Sequence, residues 1–326
     1  DRRTRDFVDA DVGVEALQTG SLVRVPAGRL VGSILLSWDL LIPVVTFIAS
    51  IVVAIAARLP FVFGFTVPLA LVVAGIGFSH FNRGWGFTLS RSSDGIRVGA
   101  GLTATSTETV PLGRIHAIEA RQPLAWRPFG WWKMRITTAG HSLAQGGQNR
   151  LQNMVLPVGL EADVLRVFET VLPGREDESE LAECAAALRD GLVGPAAGYL
   201  GAGPRAGWVL WFGRRRAGLR ITGVDAEATE LATLRIRRGA LTRSLSVMPL
   251  VRAQSVQLRR PLVHRMIGLA SIQAHTVLGP VRMEMRGIEL GEARAVFDRL
   301  AEAVVRVQSA DAEERAHRSR AGEDGR

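Results

Sequence analysis

The sequence predicts a transmembrane α-helical hairpin followed by two small α+β, mainly-β antiparallel barrels, each ending in a C-terminal helix. Three observations carry that expectation. Two long apolar runs stand back to back near the start of the chain. The segment after them breaks into short alternating runs that suit strands. Finally, Pro111–Thr138, PLGRIHAIEARQPLAWRPFGWWKMRITT, returns without a gap 138 residues later as Pro249–Thr276, PLVRAQSVQLRRPLVHRMIGLASIQAHT. An internal repeat of this kind outranks local readings.

Extending the repeat back to Ile96 pairs 43 positions, of which 12 are identical. They are Arg97/Arg235, Gly101/Gly239, Ser106/Ser244, Pro111/Pro249, Leu112/Leu250, Arg114/Arg252, Arg121/Arg259, Pro123/Pro261, Leu124/Leu262, Arg127/Arg265, Gly130/Gly268 and Thr138/Thr276.

Composition bounds the reading further. The 326 residues suit about two domains plus extras at about 150 residues per domain. Mean hydropathy is +0.16, high for a soluble chain, while the formal net charge is +9. Lys133 is the sole lysine, so arginine at any one site carries little information. The single cysteine, Cys184, excludes an internal disulfide and any multi-cysteine metal site.

In chain order, residues 1–28 form a polar segment with no apolar core of a signal peptide. Residues 29–82 hold the hairpin. Leu30–Ala57 is 28 residues with one charge, Asp39, and Leu59–Phe81 is 23 with no Asp, Glu, Lys or Arg. A spanning helix needs about 20 apolar residues, and both runs reach that. The short turn at Arg58 and Pro60 makes the helices antiparallel. Arg24, Arg29, Arg83 and Arg91 outside the pair, against Arg58 in the turn, place both ends in the cytoplasm. Asp39 lies near the start of its run, which favours an interfacial position over a working charge in the bilayer.

Residues 83–173 are expected to form the first barrel. Short Thr- and Val-bearing runs (86–90, 95–102, 106–112, 115–121, 133–138 and 151–157) read as strands, with a loop at Ala144–Arg150. Gly159–Leu172 reads as a helix stopped by Pro173-Gly174. Residues 174–213 form a linker with a short helix in 178–189. Its end, Trp208, Trp211 and Phe212 before Arg214-Arg215-Arg216, suits either a membrane headgroup region or a loop packed on the second barrel. Residues 214–308 give the second barrel, closed by an amphipathic helix over Gly291–Val307, and 309–326 a charged tail expected to be disordered.

The pattern PLxR…RxPLxxRxxG resembles the bacterial pleckstrin-homology-like (bPH2) membrane protein family of the YdbS/YdbT type. Its residues here are Pro111, Leu112, Arg114, Arg121, Pro123, Leu124, Arg127 and Gly130, and again Pro249, Leu250, Arg252, Arg259, Pro261, Leu262, Arg265 and Gly268. The resemblance implies two pleckstrin-homology-like split barrels on the cytoplasmic face of the bacterial inner membrane, held there by helix pairs. It brings no catalytic residues. The chain departs from the longer members in lacking a second convincing hairpin before the second barrel.

Enzyme constellations are absent from the sequence. The six histidines are scattered, and no GxSxG, P-loop lysine or metal-ligand spacing occurs. No cofactor or metal is expected. The remaining chemistry is electrostatic: Leu200–Arg306 carries 18 Arg against 8 Asp plus Glu. Arg214, Arg215, Arg216, Arg237, Arg238, Arg243, Arg259, Arg260 and Arg265 are the candidate contacts for an anionic surface or a partner. The repeated Arg114/Arg252 and Arg121/Arg259 have a structural alternative, pairing with carbonyls or carboxylates at the barrel corner. The expected function is a non-enzymatic, membrane-anchored scaffold for a protein or peptide partner or for anionic lipid. Self-association is left open and nucleic acid is disfavoured. The rival is a component of a membrane complex assisting transport, with Asp39 active.

Overall fold

The computed structural model of the protein describes residues 21–58, 63–92, 95–102, 106–139, 153–172, 178–194, 197–224 and 232–323. The loop expected at Ala144–Arg150 and the polar residues 1–20 lie outside them. By contact the chain forms two compact units. One comprises Asp1–Val110, Pro123–Lys133 and Leu156–Asp163, the other Pro111–Gln122, Met134–Val155 and Val164–Arg326.

In the first unit, β1 (Ser21–Arg24) pairs antiparallel with β2 (Thr88–Ser92), which pairs with β3 (Gly95–Ala100), and β4 (Ser106–Pro111) completes the sheet. Three helices are inserted between β1 and β2: α1 (Ala27–Leu35), α2 (Trp38–Ala56) and α3 (Phe63–Gly84). The first strand falls inside the segment read as merely polar, because four residues are too few for a period-two signal. The long apolar run also starts with a break. At Ser37 the backbone is extended, and α2 begins only at Trp38.

Asp39 consequently sits in the first turn of α2, where the helix dipole favours a negative charge. Its side chain is 67% exposed and lies 4.0 Å from His80 near the end of α3. Leu40 likewise approaches Gly77, so the start of α2 meets the end of α3 and the pair is antiparallel. Close packing continues at α1: a Cβ on Gly84 would stand 2.4 Å from Leu30, and one on Gly32 2.7 Å from Trp131. By length and composition α2 suffices to cross a membrane, with mean hydropathy 2.4 and 11% of its window buried.

The repeat is visible as geometry. β10 (Thr233–Arg238) follows β3 by 138 residues, and the single 3-10 turns Leu112–Arg114 and Leu250–Arg252 stand at the same offset. The corner helix Leu124–Phe129 ends at Gly130, φ 63, and its counterpart α7 (Leu262–Met266) is followed by Gly268, φ 74. Both glycines take a left-handed conformation that a side chain would strain.

β5 (Ile115–Pro123), β6 (Trp132–Thr138) and β7 (Met154–Gly159) correspond to β12 (Ser255–Arg259), β13 (Leu269–His275) and β14 (Met283–Glu289). The first trio joins the second copy's β8 (Leu200–Gly201), β9 (Gly218–Thr222), β10 and β11 (Thr242–Pro249) in one seven-stranded sheet. Its order is β7-β6-β5-β11-β10-β9-β8. β12-β13-β14 forms its own sheet.

Position in the sheet sets burial. β5 is buried over most of its length, whereas β12, at a sheet edge, alternates between exposed and half-exposed residues. Ala117 of β5 belongs to the core built by Leu234, Ile236, Met248, Ile272, Met285 and Leu300.

Helices α4 (Glu161–Val171), α5 (Glu178–Leu192) and α6 (Gly207–Leu210) follow β7 and β8 in turn, and α8 (Leu290–Glu323) closes the chain. Residues 309–323 of the tail expected to be disordered are instead the end of α8, and 324–326 lie outside the described residues. That end contains no proline, and Asp311–Arg315 at 2.5 Å continues the i,i+4 pairing begun by Glu302–Arg306. Charge without large apolar residues does not prevent helix here, because a helix that starts on a core propagates cheaply.

Candidate functional site

The arginines singled out by sequence divide into two groups. Arg216 donates to the carbonyls of Gly191 and Leu192, and Arg237 to that of Gly194 at 2.8 Å. These carbonyls end α5, where the last turn has no intrahelical donors. The two guanidinium groups therefore act as its C-terminal cap, with charges suited to the negative end of the helix dipole. The Arg237 guanidinium also lies 5.1 Å from the centre of the Tyr199 ring. Burial pushes the Tyr199 phenol up, against the opposing charges of Arg235, Arg237, Arg220 and Arg216. Burial pulls Arg235 and Arg237 down from the usual arginine range.

Arg238 meets a carboxylate that sequence reasoning passed over. Glu119 on β5 is 0% exposed. Its Oε1 accepts from Arg238 Nη2 at 2.8 Å and from Ser246 Oγ at 3.2 Å. Its Oε2 accepts from Arg121 Nε at 2.6 Å. A buried carboxylate is tolerable only when paired and fully hydrogen-bonded, and this cluster does both. Arg121 thus takes the carboxylate partner expected for a barrel corner. The signal for Glu119 was present in the alignment of the copies, where Gln257 stands in its place.

Arg114 is exposed, and its carbonyl accepts from Ala139 N at 2.9 Å. Arg252 lines a small open recess with Leu112, Ile115, Ile118, Leu172, Pro249 and Val251, so residues of both motif copies face one apolar recess. Beside it His116 Nδ1 meets Thr276 Oγ1 at 2.8 Å. Burial, then the charge of Arg252, lowers the His116 pKa. His264, 4% exposed, occupies the corner-helix place of Trp126, 3% exposed, and contacts Ser271. Of the other motif residues, Pro123 is buried while Pro261 is exposed, and Leu124 and Leu262 are 43% and 73% exposed.

The second group of arginines reaches outward. Arg215, Arg259 and Arg265 are exposed, and Arg243 and Arg260 half-exposed. Arg214 holds the carbonyl of Pro204 at 3.1 Å. Near Arg259, burial works to raise the Glu284 carboxyl, but the Arg286 hydrogen bond and charge, with Arg238 and Arg259, hold it below its ordinary range.

Beside Arg214 and Arg215 stands the most exposed apolar feature of the second copy. Trp208, Trp211 and Phe212 are 84%, 73% and 86% exposed. Among the described residues no group of three His, Cys, Asp or Glu is placed to hold a metal ion.

The arrangement is therefore one for contact, with exposed cations, exposed rings and a shallow apolar recess. Comparison with known proteins agrees in kind. The bacterial PH domain family matches residues 22–172 and again 206–304. No curated protein matches the chain. The two matches cover most of the sequence, and the chain belongs to the bacterial PH domain family.

Proposed function

With the chain a bacterial PH domain protein, we propose that it is a membrane-anchored, non-enzymatic scaffold. Its two copies present a binding surface at the cytoplasmic face of the inner membrane. PH-like domains are generally binding modules, and the expected anchor is the α2–α3 pair. The observation that carries the reading is the bare apolar surface of those helices. Ile42, Val45, Ile48, Val52 and Ile55 on α2 and Val67 and Leu71 on α3 are all more than half exposed. Leaving such half-exposed side chains in water forfeits about 1–2 kcal/mol each relative to full burial. A bilayer supplies that burial for both helices at once.

The rival reading, an active intramembrane charge at Asp39, loses support from its place in the first turn of α2, at the end of the apolar segment. Alkaline carbonate extraction of membranes from cells expressing the full chain tests the anchor. Retention in the pellet is expected. Release into the supernatant overturns the reading.

A further inference from the structure

The two copies share more than strands. In each, the first strand leads out of the sheet into an insertion and returns antiparallel as the second strand. β1 pairs with β2 through Val23–Leu89 and Arg24–Thr88, and β8 with β9 through Leu200–Leu219 and Gly201–Gly218. Between β1 and β2 the insertion is α1 and the apolar helix pair. Between β8 and β9, at the same topological place, it is the short turn of Pro204–Gly213. That turn carries Trp208, Trp211 and Phe212.

The turn is built firmly, which makes its exposure informative. Ala206 is 0% exposed, and a Cβ on Gly287 of β14 would stand 2.8 Å from Ala206 and 3.1 Å from Leu210. Gly203 N donates to Gly287 O at 3.1 Å, Arg214 clamps the Pro204 carbonyl, and Ala217 N donates to Gly213 O at 3.0 Å. Trp211 is held at φ 47, a left-handed conformation that costs a bulky residue energy.

The turn's own sequence is basic, although the Glu289 side chain packs against Gly203 at its start. Residues 200–217 contain four arginines and no Asp or Glu. Exposed Arg205 and Arg215 flank the rings, and Leu241, 65% exposed, lies in the β10–β11 turn whose Ala240 N approaches Gly213. Tryptophan and phenylalanine beside arginine is the composition of a headgroup-depth contact with an anionic leaflet.

We infer that the Pro204–Gly213 turn is a second, reversible membrane contact, in which Trp208, Trp211 and Phe212 enter the headgroup region of an anionic bilayer while Arg205 and Arg215 hold its phosphates. It stands where the first copy has its helix pair. The inference rests on the membrane anchoring proposed above.

The test uses the full chain with Cys184→Ser, reconstituted into vesicles of phosphatidylcholine with or without phosphatidylglycerol. A nitroxide is attached through Trp208→Cys, or through Arg320→Cys as a control. In the anionic vesicles the label at 208 is expected to be accessible to oxygen and shielded from a water-soluble nickel reagent, and the label at 320 open to both. Arg205→Gln and Arg215→Gln, both at exposed residues, should each lower the docked population about fivefold, the equivalent of about 1 kcal/mol per basic residue.

Vesicle flotation with the label at 208 open to the nickel reagent overturns the docking and leaves the anchor standing. Shielding of that label from both reagents assigns the turn to a protein cover and overturns the docking too. Failure of the chain to float removes the anchoring and the inference with it.

Discussion

Replacing Glu119 by alanine is the sharpest probe of how the two copies are joined. The substitution removes three acceptor contacts, at 2.6 Å to Arg121, 2.8 Å to Arg238 and 3.2 Å to Ser246. It leaves two guanidinium groups beside a hole where the countercharge was. Removing one partner of a buried ion pair costs about 3–5 kcal/mol, mostly through the charge left behind. The lower end applies here. Arg121 and Arg238 side chains are 30% and 24% exposed, so water reaches both. Arg238 also keeps Ser246 Oγ at 3.0 Å and the Glu284 carbonyl at 3.4 Å.

We therefore expect a loss of about 3 kcal/mol, or roughly 6–12 °C in Tm at 2–4 °C per kcal/mol. Glu119→Gln, which retains an acceptor, should lose about 1–2 kcal/mol. Thermal unfolding of the full chain in detergent, followed by far-UV circular dichroism, measures both. A cycle with Arg238→Gln should show the double variant less destabilised than the sum of the singles. A Glu119→Ala chain within about 0.5 kcal/mol of wild type, or strict additivity, would refute the assignment of the cluster as the joint.

Other consequences are as direct. Gly239 has φ 86, and an added Cβ would stand 1.8 Å from the Thr242 carbonyl, so Gly239→Ala should cost more than about 2 kcal/mol in a urea titration. Trp132, 1% exposed, should cost about 3–5 kcal/mol as alanine in the same titration. Burial, the larger cause in each, holds the His116 and His264 pKa values below the ordinary histidine value of 6.5. The unfolded chain then binds more protons between the folded value and 6.5. Their contribution is full above 6.5 and lost as pH falls through the folded value. Replacing both by glutamine should narrow the gap between the urea midpoints at neutral and mildly acidic pH, and an unchanged gap would count against this role.

Sequence made the repeat legible because Pro, Gly and corner residues are fixed by backbone geometry, and Gly130 and Gly268 adopt the same conformation in both copies. The helices closing each copy were legible from their apolar spacing, whereas the paired 3-10 turns emerged only in the structure. Two features stayed out of reach. β1 is four residues long and separated from its partner by three helices, a pairing that local periodicity does not encode. The seven-stranded sheet depends on which edges meet, and β5 and β12 look alike until one is covered. Among the arginines, sequence counted charge but not direction. Arg216 and Arg237 turn inward because α5 ends on carbonyls needing donors, a demand that exists only once the chain has folded.

Gene duplication ordinarily yields modules that can be shuffled, lost or expressed apart. This pair has given up that freedom. With β5 of the first copy beside β11 of the second, the segment that is repeated and the segment that folds do not coincide. A deletion removing either half strips a neighbour from the other and bares a strand edge, the surface that invites aggregation. The halves are bound to a single evolutionary fate, free to diverge in what they display and constrained to stay together where they meet.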